Sequence, residues 1–372
     1  MTGNDGKDRR PREIWVELGP RRYPIHVGCG ILAETGRLMK ERLPSTKCAI
    51  VSHADVMELH GGRLMEGIEE AGIEAHVVVV PPGEESKSWE RAGWLHGALL
   101  DLKLDRASAL LAFGGGVVGD LAGFVASTFM RGISLVQAPT PLLAQVDSGI
   151  GGKTAVNHAR GKNLIGSFYQ PRLVVVDPGL LETLPREERR SGLAEVVKYG
   201  VIADRELFEL LEGAGEAAVD DAGTLEEIVS RCCAIKARFV EGDERDETGM
   251  RAALNLGHTL GHALEIQGKL SIRHGEAVAV GMLLAAEIAV RRGLMQRGEA
   301  DRLKRLLKRL NLSTSITIGA TDPVLEAMHR DKKAEAGTVR FVLPTGIGDA
   351  PVVEPISDAE VMAAIRDSVI DG

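Results

Sequence analysis

Leu110 to Phe124, LLAFGGGVVGDLAGF, sets an unbroken apolar run against three consecutive glycines and then a helical pattern. A short apolar run bounded by glycine reads as a buried strand, and the triple glycine reads as a turn whose backbone can approach a neighbour closely. Gly114, Gly116 and Gly119 satisfy G-x-G-x-x-G, so backbone N–H groups at a helix start are placed to cradle a diphosphate. A tight strand-to-helix turn produces the same pattern without a ligand. No acidic residue follows at the ~20 residues where an ordinary first-βαβ site holds a ribose, so this motif alone does not define a binding site.

Outward from this point the grammar is βαβ. CAIVS (48–52) precedes a helix near Asp55 to Ala71, AHVVVV (75–80) precedes a helical pattern from Ser86 to Leu102, and SALLAF (108–113) leads into the glycine turn. After LVVVDPGLLETLP (173–185) the strand patterns stop, and Pro185 marks a helix start. The segments LEEIVSRCCAIKARFVEG, EAVAVGMLLAAEIAVRRG and ADRLKRLLKRLN that follow are amphipathic or apolar helices. The expectation is two domains, an α/β domain over 1–185 and an all-α domain over 186–372. A chain of 372 residues exceeds the roughly 250 to 300 at which a single core stops growing. In the basic run Arg302 to Arg309, Leu303, Leu306, Leu307 and Leu310 recur at helical spacing, which reads as a helix with a solvated face.

With 53 acidic against 45 basic residues and a net charge of −8, nucleic acid and anionic membrane are excluded as main partners, and any anion site must be built locally. The four cysteines show no C-x-x-C spacing, which fits neither a disulfide framework nor a thiolate zinc site and points to a reducing cytoplasm. The polar N-terminus has no apolar signal core, and no uncharged stretch reaches the roughly 18 residues of a membrane helix. Residues 1 to 12 read as a disordered tail.

Three polar constellations carry chemistry. PPGEESKS (81–88) puts Glu84 and Lys87 just after a strand, where loops of open α/β sheets meet ligands. VDSGIGGKTAVNHARGKN (146–163) places Lys153, Lys162 and Asn163 among glycines, and Arg131 sits in FMRG; such cations suit a phosphate or carboxylate. LNLGHTLGHALE followed by IRHGE gathers His258, His262 and His274, three of the chain's ten histidines, in one window. His258 and His262 share a helical face, and the cluster reads as a metal site completed by an oxygen ligand. Glu195, flanked by apolar residues in SGLAEVVKYG and three residues from Lys198, is the best oxygen donor, since a desolvated carboxylate requires a cation. Glu265 and Glu276 are rival ligands.

Together GGGVVGDLAGFVAS, VDSGIGGKTAVNHARGKNLIG, SGLAEVVKYG and LNLGHTLGHALE with HGE resemble 3-dehydroquinate synthases, in that family's order, ending with DKK (331–333) and VRFVLPTGIG (339–348). The resemblance implies an N-terminal Rossmann-like domain that binds NAD, an all-α C-terminal domain, an active site in the interdomain cleft and a homodimer. It implies that Glu195, His258 and His274 bind one divalent metal, zinc or cobalt, and that His262 instead assists proton transfer. Pro82, Gly83, Glu84, Glu85, Ser86, Lys87, the turn Gly115, Gly116, Val117, Val118, Gly119 and Asp120, then Thr140, Pro141, Leu180, Leu181, Glu182 and Thr183 would contact NAD, with Asp147 nearby. Arg131, Lys153, Asn163, Lys198, Arg251 and Asn255 would hold the phosphate, carboxylate and hydroxyls of a sugar-phosphate substrate, with Lys162 close by; Lys153 and Lys162 also count among the cofactor residues.

The implied reaction converts 3-deoxy-D-arabino-heptulosonate 7-phosphate to 3-dehydroquinate and phosphate through transient oxidation, β-elimination, re-reduction, ring opening and aldol closure. The family usually reads PTTLLAQVDSSIGGK, where this chain has Pro141 and Gly149, so a cofactor contact at 141 can only be backbone. DERDETGMR (243–251) is one residue longer than usual, which leaves Lys236 and Glu247 without assigned roles. The rivals are a sister sugar-phosphate cyclase, a metal-dependent polyol dehydrogenase, disfavoured by GHTLGH with Glu195, and a non-catalytic binding or regulatory descendant, disfavoured by the retention of every proposed ligand and lysine.

Overall fold

The computed structural model describes residues 11–266, 272–315, 322–330 and 339–368. The first ten residues of the expected tail and the DKK motif lie outside the described residues. The chain divides into two compact units, the first made of Met1–Pro185 with Ala222–Arg245 and the second of Arg186–Asp221 with Asp246–Gly372.

In the first unit, strands β1 (Arg12–Val16), β2 (Tyr23–Val27), β3 (Lys47–Ser52), β4 (Glu74–Val79), β5 (Ala109–Gly114) and β6 (Ser134–Pro139) are followed by a hairpin of β7 (Lys153–His158) and β8 (Gly161–Phe168), and then by β9 (Leu173–Val176). Seven strands form one sheet in the order β1-β2-β9-β6-β5-β3-β4, with β7 and β8 pairing separately. All neighbours in the large sheet are parallel except the edge pair β1 and β2.

The interior strand β5 is buried at every residue, as a strand covered on both faces must be. Alternation divides the core accordingly. Ala49, Val51, Leu110 and Ala112 enter one apolar cluster, whereas Cys48, Ile50, Leu111 and Phe113 enter another. The chain leaves β3 outward to β4 and returns to β5 on the other side, so the order reverses between β3 and β5. Open α/β sheets bind ligands at the carboxyl ends of their strands beside such a reversal, and the glycine turn follows β5 there.

The helix expected from Ser86 to Leu102 runs only from Trp89 to Asp101, because Glu84–Ser86 forms a separate tight turn and the Ser88 hydroxyl accepts from the Arg91 N–H at 3.1 Å, capping the helix. The expected single cut at residue 185 also requires correction. Helix Ala222–Gly242 returns to the first unit, with Leu225, Ile228, Val229, Cys232, Cys233 and Val240 buried. Its Glu241 accepts from the Glu17 N–H at 2.7 Å, and Glu227 pairs with Arg12. An amphipathic stripe states that a helix has a buried face, not which layer that face meets.

The second unit is helical, with one correction to the all-α reading: β10 (Val339–Leu343) and β11 (Val352–Ile356) form an antiparallel hairpin. The basic run lies on helix Arg297–Arg309, whose Leu303, Leu306 and Leu307 are buried and whose Arg302 donates to Glu212. No helix among the described residues is long and apolar enough to cross a membrane.

Phe113, near the carboxyl end of the interior strand β5, is fully buried. Phe113→Ala should lower the unfolding free energy by about 3–5 kcal/mol, read from the denaturation midpoint of purified protein, whereas Leu59→Ala at an exposed site should change it by about 0.5 kcal/mol or less.

Candidate active site

In the second unit, Glu195 lies on helix Arg186–Ala203, His258 opens helix His258–Ile266 and His274 opens helix His274–Arg291. Their backbones meet through glycine. A Cβ on Gly275 would lie 2.1 Å from the Ser191 carbonyl oxygen, and one on Gly281 would lie 1.9 Å from the Gly257 carbonyl oxygen. The Gly275 N–H donates to the Ser191 hydroxyl at 3.0 Å, and Glu195 is one turn beyond Ser191 on the same helix face. This close approach brings one ligand atom from each of Glu195, His258 and His274 within 4.8 Å of the others.

The ring orientations suit a metal. The His258 Nδ1–H donates to the Leu256 carbonyl at 3.1 Å and the His274 Nδ1–H donates to Glu265 Oε1 at 2.7 Å. His258 Nε2 is thereby left as a lone-pair nitrogen, whereas His274 Nε2 holds a proton toward Glu195 that a metal would displace, and both stand 3.4 Å from Glu195 Oε1. Second partners that fix the tautomer in this way are the usual support of metal-bound histidine. Glu265, a rival ligand on sequence grounds, is thus the support of His274. Glu276 and His262 are not in the converging group, although the His262 ring packs edge-on against His258 with centroids 5.4 Å apart.

Glu195 has no solvent exposure and is paired with Lys198, which is itself 1% exposed. Burial pushes His258 down to about 3, so it is neutral and ready to ligate. Burial also acts to lower His274, but Glu195 and Glu265 outweigh it and push the group up to about 10. Arg251 is buried on the turn Met250–Asn255, and the Asn255 side chain donates to the Ala252 carbonyl at 3.2 Å.

In the first unit, the residues expected around a cofactor follow four different strands at one edge of the sheet: 82–87 after β4, 115–120 after β5, Thr140 and Pro141 after β6, and 180–183 after β9. Gly115 precedes helix Gly116–Thr128 without a side-chain cap, so the helix's first N–H groups face outward from a turn that suits an anion. The Lys87 ammonium, almost fully buried, donates to Asp120 at 2.7 Å and to Asn163 Oδ1 at 2.5 Å. Burial, against the pull of Lys87, raises Asp120 to about 6. His60 contacts the Thr183 hydroxyl at 2.8 Å.

Lys153 and Lys162 are exposed on the β7–β8 hairpin, and Arg131 is exposed where Met130 and Arg131 both adopt left-handed backbone, with φ of 49° and 67°. Asp147, on the wide turn Ala144–Ser148, is paired at 2.5 Å with Lys236, a lysine to which the sequence assigned no role. Glu247 is exposed on its lengthened loop. Gly149 has a local cause, since a Cβ there would meet the Ala144 carbonyl oxygen at 3.0 Å and the Pro139 ring at 3.1 Å. Pro141 offers its carbonyl, which accepts from the Ala144 and Gln145 N–H groups. Asn157 escaped the sequence reading altogether. It sits inside the quoted VNHARGKN, but its spacing carried no signal.

Models of the N-terminal and C-terminal portions of 3-dehydroquinate synthase match residues 77–191 and 192–334. The chain belongs to the 3-dehydroquinate synthase family. A 3-dehydroquinate synthase of Symbiobacterium thermophilum is 49% identical over 92% of this chain and 96% of its own. Among solved structures, a 2-epi-5-epi-valiolone synthase of Streptomyces hygroscopicus with NAD+ and Zn2+ bound is 30% identical, with a TM-score of 0.84 over 94% of this chain and 96% of that one. A 2-deoxy-scyllo-inosose synthase complexed with carbaglucose-6-phosphate, NAD+ and Co2+ is 27% identical, with a TM-score of 0.86 over 96% of this chain and all of that one.

Two outcomes test the metal chemistry. Glu265→Gln should weaken zinc binding by about 10 to 100-fold in a competition titration, as loss of a supporting carboxylate does elsewhere. With His274 raised to about 10 and His258 lowered to about 3, the metal-free protein carries its proton on His274 at neutral pH. Zinc binding to chelated protein should therefore release about one proton and strengthen as pH rises; calorimetry in buffers of different ionisation enthalpy that finds no release would contradict this.

Proposed function

We propose that this protein is a 3-dehydroquinate synthase, converting 3-deoxy-D-arabino-heptulosonate 7-phosphate to 3-dehydroquinate and phosphate. The observation that carries the reading is the convergence of Glu195 with two histidines whose Nδ1 atoms are already engaged, in a chain of this family. The donor set, one carboxylate oxygen and two imidazole nitrogens, fits a catalytic divalent metal with a position left for substrate. The glycine turn with Lys87 and Asp120 at the sheet's carboxyl edge fits NAD. When bound, NAD supplies a reversible hydride acceptor and the metal a Lewis acid for developing oxyanion charge.

The chain's own side chains then have separate tasks. Lys153, Lys162 and Arg131 hold the phosphate, and Asn163 presents its amide N–H groups to the same substrate because its Oδ1 is committed to Lys87. Positioning a dianion so that it can depart and take the neighbouring proton is worth several kcal/mol without further chemistry. Lys198, Arg251 and Asn255 hold the carboxylate and hydroxyls, and His262, beside His258 but outside the converging group, moves a proton at a substrate hydroxyl. Asp147 with Lys236 borders the glycine turn, where a Cβ on Gly116 would come 3.1 Å from the Ser148 hydroxyl. The reading also carries a homodimer and a reducing cytoplasm, which the four unbridged cysteines suit.

The test is an assay of purified protein with the heptulosonate phosphate, NAD and zinc, following phosphate and dehydroquinate together before and after chelation. Equal, chelator-sensitive appearance of both is expected; activity on glucose 6-phosphate instead would move the chain to a sister cyclase. Lys153→Ala should cut kcat/KM by 100-fold or more, a loss of about 3 kcal/mol, with zinc content intact, whereas His258→Ala should lose zinc.

A further inference from the structure

We propose that Asn157 is a positioning residue that builds the cofactor loop and the substrate-holding Asn163 into one scaffold. This rests on the NAD reading above. Asn157 lies in β7 and makes four hydrogen bonds, one of them a long one from Nδ2 to the Glu84 carbonyl at 3.4 Å. Its backbone N–H donates to the Lys87 carbonyl at 2.7 Å, its side-chain Nδ2 donates to Glu84 Oε1 at 2.8 Å, and its Oδ1 accepts from the Asn163 N–H at 2.9 Å. The Lys87 ammonium, from the same loop as Glu84, closes the circuit onto Asn163 Oδ1 at 2.5 Å and onto Asp120 at 2.7 Å.

The circuit explains two features at once. Asn163 has a left-handed backbone with φ of 56°, a conformation asparagine tolerates better than most residues but which still needs support; the bond from its N–H to Asn157 supplies that support. Its side-chain amide is oriented by Lys87, so the two N–H groups are left as donors for a phosphate or hydroxyl. On the other side, Asn157 fixes one oxygen of Glu84 in the loop that follows β4. Any shift of the Glu84–Lys87 loop is thereby passed to Asn163 through two separate connections.

The position requires a donor and an acceptor on one planar group, which among side chains of this size only an amide supplies. Aspartate keeps the acceptor for Asn163 but sets two carboxylates against each other at Glu84. Alanine loses all three side-chain bonds. Reversing the pair, with Asn157→Asp and Glu84→Gln together, restores one donor and one acceptor with their directions exchanged.

The test is NAD affinity by calorimetry on zinc-loaded protein, with KM for the heptulosonate phosphate at saturating NAD as a second readout. Asn157→Asp is expected to weaken NAD binding by at least 10-fold and, because saturating NAD holds the loop in place and the acceptor for Asn163 is kept, to change the substrate KM by less than 2-fold. Asn157→Ala is expected to raise both, and the reversed pair to bind NAD at least 5-fold more tightly than Asn157→Asp alone. A role in folding only would lower the melting temperature of Asn157→Asp without moving its NAD affinity, and the reversed pair would give no rescue; that pattern overturns the proposal. Should Asn157→Asp fail to fold, hydrogen exchange of the wild-type protein decides: NAD should slow exchange at the Asn163 amide at least 5-fold, and no change there overturns the proposal. Wild-type protein that binds no NAD would instead overturn the functional reading on which this rests.

Discussion

A carboxylate with no access to solvent, Glu195, is the constraint around which the helical unit is arranged. Burying an isolated charge is costly, and breaking one partner from a buried pair costs about 3–5 kcal/mol, so the surrounding helices must deliver compensation to one point. Lys198 comes from the next turn of the same helix and the two histidines from the starts of two others. That delivery depends on backbone contact distances that no side chain permits, at Gly275 against Ser191 and at Gly281 against Gly257. The charged centre and the glycine contacts are therefore one feature seen twice.

The α/β unit solves a different problem with the same economy. Its four loops follow β4, β5, β6 and β9, so parallel strand direction alone places them at one edge of the sheet. Burial of every residue of β5 fixes the height at which the glycine turn emerges. Hydrogen bonds then adjust the rim: Thr140 donates its N–H to the Gly114 carbonyl at 3.0 Å, and Lys87 joins a loop after one strand to a helix after another. Rigid strands set the positions, and short polar contacts set the orientations.

Much of this was legible in the sequence. Strand and helix periods gave the βαβ run and the amphipathic character of 297–309, because each depends on local spacing. The histidine window and Glu195 were legible because rare residue types fell close together or in apolar company. What was not legible depended on contacts distant in sequence. The helix 222–242 showed a buried stripe but not the unit it joins, the hairpin of β10 and β11 lay beyond an otherwise helical pattern, and nothing separated Glu265 as a support from Glu265 as a ligand. Lys236 could be given a partner only once Asp147, 89 residues earlier, was placed beside it. The family resemblance, not the spacing, distinguished His262 from its neighbours.

A cyclase that borrows a hydride and returns it uses NAD as a catalyst, and this sets it apart from a dehydrogenase built on the same layout. The most direct measurement supplies zinc-loaded protein with excess heptulosonate phosphate and a quantity of NAD far below it. Phosphate release many-fold beyond the NAD present, with no net reduced cofactor, is the predicted result. Release that halts at one equivalent of NAD while the reduced form accumulates would contradict it.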